Sequence, residues 1–298
     1  VLYEWNGEDG LVTDPQYLCQ DTGFILSFEA GFQEAGENRK HTMVYRFSSD
    51  FRLETKRALF ETSGGIVTSE YKSDDPGLAF VNNTIWAWVV HTPEGRMGTG
   101  FALYGLDPVT LEITVDDGKG GPLIIQNPNF APFPGVMDYF QNEYHIFTSP
   151  KDPSGDAFSQ NGLIEYVYDR DWKFVDVHEI SSSFAGDIPR YLTGLLSTDE
   201  FRVLGFLVQP AGLDALRGAE RTSSVNQYTN VGEAWVRFTD SDSEDAQFIS
   251  VSENDSAERI KDTRHTEFAL SGNTLYVGYF YLSDPKKTVI KRYALSKE

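Results

Sequence analysis

A short apolar run, introduced by a Gly, Asn or Asp turn, recurs five times along the chain. The copies occupy residues 22–28, 83–88, 142–147, 199–204 and 273–279. Aligning Phe24, Thr84, Glu143, Glu200 and Thr274 gives steps of 60, 59, 57 and 74 residues, a nearly constant period that marks a repeat architecture. The runs are rich in β-branched and aromatic residues and are separated by Gly, Asn, Asp and Pro, so each reads as a strand bounded by turns. A second strand is predicted after each copy, over 43–47, 101–106, 163–168, 233–238 and 289–295. A third precedes each copy, over 16–19, 77–81, 136–140, 192–196 and 267–270. In several copies the second strand passes through a polar turn into a fourth, as from Tyr45 to Leu53 and from Tyr166 to Phe174, in the manner of hairpins.

Each unit therefore offers about four short strands, and four-stranded antiparallel sheets repeated radially are the blades of a propeller. The predicted fold is all-β: a five-bladed β-propeller of four-stranded antiparallel blades, forming a single domain over residues 1–298. Two packed jelly rolls or sandwiches would not need a constant period. The stretches 149–162 and 209–232, rich in Gly, Ser, Asp and Asn, are expected as loops between strands, of a length that often carries function.

Composition narrows the function classes. The longest apolar runs, 85–90 and 275–282, are strand-sized, whereas a bilayer-spanning helix needs roughly 20 residues, so no membrane span is expected. The formal charge of -20, from 25 basic and 45 acidic residues, repels phosphate backbones and argues against a nucleic-acid partner. Hydrophobic residues make up 40% of the chain and charged ones 23%, which supplies a core and argues against disorder. Cys19 is the only cysteine, which excludes intrachain disulfides and cysteine-based zinc sites, and it is expected in the core. The first residue is Val1, with no initiator Met and no charged-then-apolar leader, which fits a processed chain as well as a trimmed one. Asn82-Asn83-Thr84 and Asn254-Asp255-Ser256 fit the glycosylation triplet, which matters only in a eukaryotic secretory route.

In a propeller the first strand of every blade lines the central channel, so residues at its leading end converge on the axis. Ten residues before the aligned turn positions stand Asp14, Asp74, Phe133, Arg190 and Arg264, followed by Pro15, Asp75, Pro134, Tyr191 and His265. The ring expected from this register holds the carboxylates of Asp14, Asp74 and Asp75. Phe133 and Tyr191 add aromatic surface, and Arg190, Arg264 and His265 add cationic or titratable groups. Charges gathered in a cleft shift one another's pKa, and such a mouth suits a polar ligand such as a sugar. Asp14-Pro15 and Asp75-Pro76 are also ordinary dipeptides for a turn that begins a strand.

Residues 13–18, Thr-Asp-Pro-Gln-Tyr-Leu, followed by 21–26, Asp-Thr-Gly-Phe-Ile-Leu, resemble the opening blade of the five-bladed glycosidases of glycoside hydrolase family 43 and their fructosidase relatives. The resemblance implies a general base at Asp14, a pKa-tuning carboxylate at Asp74 or Asp75, and accessory roles for Arg190 or Arg264 and for His265. It also implies a third-blade glutamic acid as proton donor, where this chain has Phe133 within Asn127–Pro134 and no Glu nearby. Inverting hydrolysis needs two carboxyl groups about 6.5–9.5 Å apart, one protonated and one ionised. Asp14 with Asp75 is one available pair; otherwise the acid falls to Asp138, Glu267 or His265, or the chain binds glycans without cleaving them.

The remaining motifs are weaker. Residues 116–121, Asp-Asp-Gly-Lys-Gly-Gly, read as a hairpin tip, because no helix follows to make a phosphate loop. Residues 240–245 offer oxygen ligands to a calcium ion but read better as an acidic solvated turn, so no cofactor is expected. The five His show no paired metal spacing. The expectation is a secreted or extracellular carbohydrate-active protein, glycosidase-like, with its partner a polysaccharide or oligosaccharide. The rivals are a non-enzymatic recognition, adhesion or assembly module, and a propeller lyase or lactonase holding a metal in the channel.

Overall fold

A computed structural model describes residues 12–34, 37–62, 71–91, 100–126, 131–132, 136–148, 150–151, 163–180, 188–197, 201–209, 231–238, 247–250, 267–281 and 287–295, some strand ends by backbone alone. Every regular element among them is a strand. The first sheet comprises β1 (Val12–Gln20), β2 (Gly23–Glu34), β3 (Glu37–Ser48) and β4 (Leu53–Thr62), paired in that order. The second comprises β5 (Tyr71–Val81), β6 (Thr84–His91), β7 (Gly100–Leu106) and β8 (Ile113–Val115), with β9 (Leu123–Gln126) also on β7. The short strand β10 (Ala131–Pro132) comes next in the chain. The third sheet begins with β11 (Val136–Phe140) and β12 (Glu143–Thr148); the short β13 (Pro150–Lys151) pairs β10, and β14 (Leu163–Asp169) and β15 (Phe174–Ile180) complete the sheet. The fourth is β16 (Ile188–Ser197), β17 (Phe201–Gln209), β18 (Val231–Phe238) and β19 (Gln247–Ser250). The fifth has three described strands, β20 (Glu267–Ser271), β21 (Thr274–Tyr281) and β22 (Lys287–Ala294).

The five predicted runs are the second strands of these sheets, and the runs before and after them are the first and third strands. The strand pairings described within the sheets are antiparallel, as in β2 on β3 from Gly23↔Ser48 to Glu34↔Glu37. The turns at Asn82-Asn83 and Gln141-Asn142 carry positive φ at both residues (50° and 57°, 52° and 66°), the two-residue geometry that matches strand twist in tight hairpins.

The chain divides into two compact units, Val1–Ala157 with Val167–Val175, and Phe158–Tyr166 with Asp176–Glu298. Within the first, successive sheets pack face to face. Ile25, Val44 and Phe60 of the first sheet share one buried cluster with Ile85, Ala87, Val89, Ala102 and Leu106 of the second. The alternate residue Trp86 points the other way, meeting Tyr144 edge-on at 5.3 Å and Trp172 at 4.9 Å, while Tyr144 and Trp172 stack at 4.2 Å. Because both faces of the second sheet are covered, β6 and β7 are nearly continuous apolar runs rather than alternating ones.

Three hairpins share one device. Phe51, Leu111 and Trp172 each take a positive φ (62°, 57° and 62°) at corresponding places in the turns β3–β4, β7–β8 and β14–β15. A residue at the head of each turn satisfies the exposed amides: the Arg52 N–H donates to Ser48 Oγ, those of Val109 and Thr110 to Asp107 Oδ1, and those of Asp171 and Lys173 to Asp169 Oδ1. The bulky residue then closes onto a packed face: Phe51 on Phe24, Leu111 in the cluster shared by the first two sheets, Trp172 on Trp86.

The amides of Thr110 and Val109 hold the Asp107 carboxyl below its ordinary value; desolvation opposes them, and the Thr110 hydroxyl and the Arg46 charge add smaller lowering effects. A depressed folded-state pKa contributes stability above the unfolded pKa, and that contribution is lost as pH falls through the folded value. Acid titration of the thermal midpoint should therefore show a smaller loss below about pH 4 for Asp107→Asn than for the wild type. An identical acid limb in the two proteins would show that this cap does not contribute.

Two expectations are corrected. Cys19 is exposed rather than buried, and so is Tyr17, two residues away on the same face of β1. Residues 116–121 are not a hairpin tip: β8 pairs Gly105 and Leu106 while β9 pairs Gly100–Leu103 along the same edge of β7, so the segment is an excursion within one interrupted fourth strand. Of the two predicted long loops, most residues lie outside the described ones. Among the described residues no helix is long and apolar enough to cross a membrane.

Candidate functional site

Proline decides the local geometry at three of the predicted positions. It has no N–H to donate to a ladder, so inside a sheet it is confined to edges, strand starts and bulges. In β1 the pairing with β2 breaks between Thr13 and Gln16, leaving Asp14-Pro15 outside the ladder. In β5 the pairing with β6 breaks between Lys72 and Gly77, which sets Ser73, Asp74, Asp75 and Pro76 outside it. In β16 the pairing shifts twice, between Pro189 and Tyr191 and again between Leu192 and Gly194, so Arg190 and Thr193 are the residues without a partner in the ladder and Tyr191 rejoins opposite Leu207. The Asp-Pro pairs thus stand at interruptions within longer strands rather than in turns that begin them. Bulges of this kind re-aim the chain and are frequent beside active sites.

The first strands lie side by side within each unit. In one, β5 has Cα atoms within 8 Å of both β1 and β11, which brings the strands carrying Asp14, Asp74 and Asp75 next to one another. In the other, β16 runs beside β20 in the same way. Phe133, Arg264 and His265 lie outside the described residues. Asp138 is described, buried on β11 opposite His145 of β12.

Sequence reasoning missed two buried polar residues at the bulged end of the first two sheets. Glu29, on β2 opposite Thr13, is buried and ion-paired with Lys40 at 2.6 Å. His91, at the end of β6 opposite Tyr71, is buried with its ring 6.0 Å from the tyrosine's. The available signal was a polar residue interrupting or ending an apolar run, as Glu29 does between Phe28 and Ala30.

Close packing also constrains the segment from Asp74 onward. Gly77 faces Trp88, and a Cβ at residue 77 would fall 1.8 Å from Trp88 Cε2. The indole, 2% exposed, covers β5 immediately after the bulge.

Among the described residues no group of three His, Cys, Asp or Glu is placed to hold a metal ion. The acidic segment 240–245 lies outside the described residues.

No protein-family profile matches the sequence, and no curated protein matches it. Solved structures match its fold. The α-L-arabinofuranosidase of glycoside hydrolase family 93 from Fusarium graminearum, solved with arabinobiose, is similar over 96% of this chain and 81% of its own, at 9% identity and a TM-score of 0.52. An α-L-arabinofuranosidase from Lactobacillus brevis is similar over 96% of this chain and 91% of its own, at 11% identity and a TM-score of 0.50. A polysaccharide lyase reaches a TM-score of 0.57 at 9% identity over 99% of this chain, which spans only 60% of the lyase's length. At such identities the likeness is one of fold. The chain has the all-β propeller fold built from four-stranded antiparallel sheets, and the resemblance expected from its first repeat holds at that level.

Proposed function

We propose that this chain is a carbohydrate-active propeller of glycosidase type, with residues 1–298 forming one domain whose five sheets are its blades, and that it hydrolyses an oligosaccharide or polysaccharide outside the cell. The observation that carries this reading is the placement of Asp14, of Asp74 with Asp75, and of Arg190 on Pro-directed bulges at corresponding places of three first strands. A repeat that served packing alone would gain nothing from interrupting its ladder at the same place in three sheets.

In this reading Asp14 is the general base that activates water, and Asp74 or Asp75 supplies the protonated carboxyl that assists departure of the leaving group. Phe133, Arg190, Tyr191, Arg264 and His265 bind the sugar through their rings and their hydrogen-bond donors. Two of the fold neighbours are named α-L-arabinofuranosidases, and by that fold-level analogy arabinofuranosides head the substrates to test. The assay is release of chromophore or reducing ends from glycosides and polysaccharides, with and without chelator. Turnover insensitive to chelator and dependent on Asp14 is expected; turnover abolished by chelator would favour a metal-dependent lyase or lactonase.

The presence of Phe133 where the resemblance implies a glutamic acid favours a second reading, a glycan-recognition, adhesion or assembly module. Saccharide binding without turnover would select it.

A further inference from the structure

A cavity of about 380 Å³ opens between the first two sheets at the end away from the bulges. It is lined by Cys19, Gln20, Asp21 and Thr22 of the β1–β2 connection, by Phe80 at the end of β5, by Pro108 and Val109 of the β7–β8 turn, and by Arg46 of β3. Its volume falls in the range of small-molecule sites. Cys19 is five residues beyond Asp14 on an extended strand, about 16 Å at the usual rise. The cavity is therefore separate from the candidate catalytic positions.

Arg46, 5% exposed, is held by an array of acceptors. Nη1 donates to Gln20 Oε1 at 2.9 Å and to the Pro108 carbonyl at 2.8 Å, Nη2 donates to Thr22 Oγ1 at 3.2 Å, and Nε is 2.8 Å from Glu54 Oε2. A guanidinium has five N–H groups. Both on Nη1 and one on Nη2 are used, and Nε stands in an ion pair with Glu54 without a hydrogen bond to it, so one N–H on Nη2 remains uncommitted in a cavity-lining side chain that is almost wholly buried.

The lining is mixed. Phe80 is 45% exposed and Val109 64% exposed, an apolar surface on the cavity wall. Asp21 supplies an exposed carboxylate acceptor, and Thr22 a hydroxyl. Glu54 already offsets the Arg46 charge, and Asp21 and Asp107 add negative charge nearby, so the cavity disfavours an anion. A ligand with one apolar face and a rim of neutral hydroxyl groups satisfies all of these groups at once.

We propose that this cavity is a second saccharide-binding site, selective for neutral sugars, in which a pyranose or furanose ring lies on Phe80 and Val109. Its hydroxyl groups donate to Asp21 and accept from the free Arg46 N–H. The site anchors a chain-like substrate at a distance from the catalytic end, so that a polymer is held while its scissile bond is processed elsewhere.

Cys19 gives a direct readout, because it is the only cysteine in the chain and it lines the cavity. The rate of Cys19 alkylation by iodoacetamide is measured with and without neutral pentose and hexose trisaccharides, with glucuronate and inorganic phosphate as charged comparisons. A neutral trisaccharide should slow alkylation saturably, by about tenfold at ten times its Kd. Phe80→Ser and Asp21→Asn, each measured against its own unprotected rate, should lose this protection while keeping the fold, and Asp14→Asn should keep it. Because Asp14→Asn retains protection here whether or not it abolishes turnover, failure of the catalytic reading and failure of this one are distinguishable. No protection by any neutral trisaccharide up to about ten times a millimolar Kd would overturn the proposal. So would protection by glucuronate or phosphate instead, or protection that survives Phe80→Ser and Asp21→Asn but disappears in Asp14→Asn.

Discussion

Asp14→Asn is expected to lower kcat/KM for glycoside hydrolysis by about 10²- to 10⁴-fold, the usual contribution of a positioned general base. The substitution keeps the side chain's shape and removes its capacity to take a proton. Asp14 also stands outside the β1–β2 ladder, so no strand pairing depends on its backbone. Its effect on the thermal midpoint should therefore be small, about 0.5 kcal/mol or less. The two readouts separate chemistry from folding. A rate unchanged by the substitution would remove Asp14 from the mechanism, and a collapse of the midpoint would make it a structural residue. Asp74→Asn and Asp75→Asn compared side by side assign the acid: the variant that loses more activity on substrates with poor leaving groups than on activated ones carries the proton.

Gly77→Ala should destabilise the protein by about 1–3 kcal/mol, the cost of forcing atoms into a filled core. The added methyl would overlap the Trp88 indole, whose near contacts are ring atoms held in a packed face rather than the free end of a flexible chain. For a chain of 298 residues each kcal/mol corresponds to about 1.5–2 °C in thermal midpoint. Because Gly77 resumes the ladder directly after Asp74, Asp75 and Pro76, displacing the indole also moves the strand that carries them. Lost activity should accompany the lowered midpoint, and Trp88→Phe in the same background, by making room, should recover part of both. A Gly77→Ala protein with the wild-type midpoint would show that Trp88 yields without cost.

Much of this fold is written in the chain because each second strand pairs an apolar run with a turn that tolerates few residue types. Asn82-Asn83 and Gln141-Asn142 are turns that the positive φ values require, and the runs after them are buried strands. Less legible was anything decided by tertiary packing. Cys19 reads as a core residue by type, yet the alternation of β1 sends it to the side of exposed Tyr17. Phe51, Leu111 and Trp172 look like strand-forming residues, but each takes a left-handed turn conformation: Leu111 is buried there, Trp172 packs on Trp86, and Phe51, though half exposed, keeps a ring contact with Phe24. The prolines beside Asp14, Asp75 and Arg190 were visible, but in one chain a proline that begins a strand cannot be told from one that interrupts it. Only the ladder register separates the two. Glu29 and His91 were legible as polar residues in apolar runs; their position at the bulged end required the pairing of β2 with β1 and of β6 with β5.

The most direct test of the account is a crystal structure of Asp14→Asn with a bound oligosaccharide that the wild type cleaves. The account predicts a glycosidic oxygen within hydrogen-bonding reach of Asp74 or Asp75 and a water between the anomeric carbon and residue 14. A sugar bound away from all three positions, with Asp14 and the Asp74-Asp75 pair on separate surfaces, would contradict it.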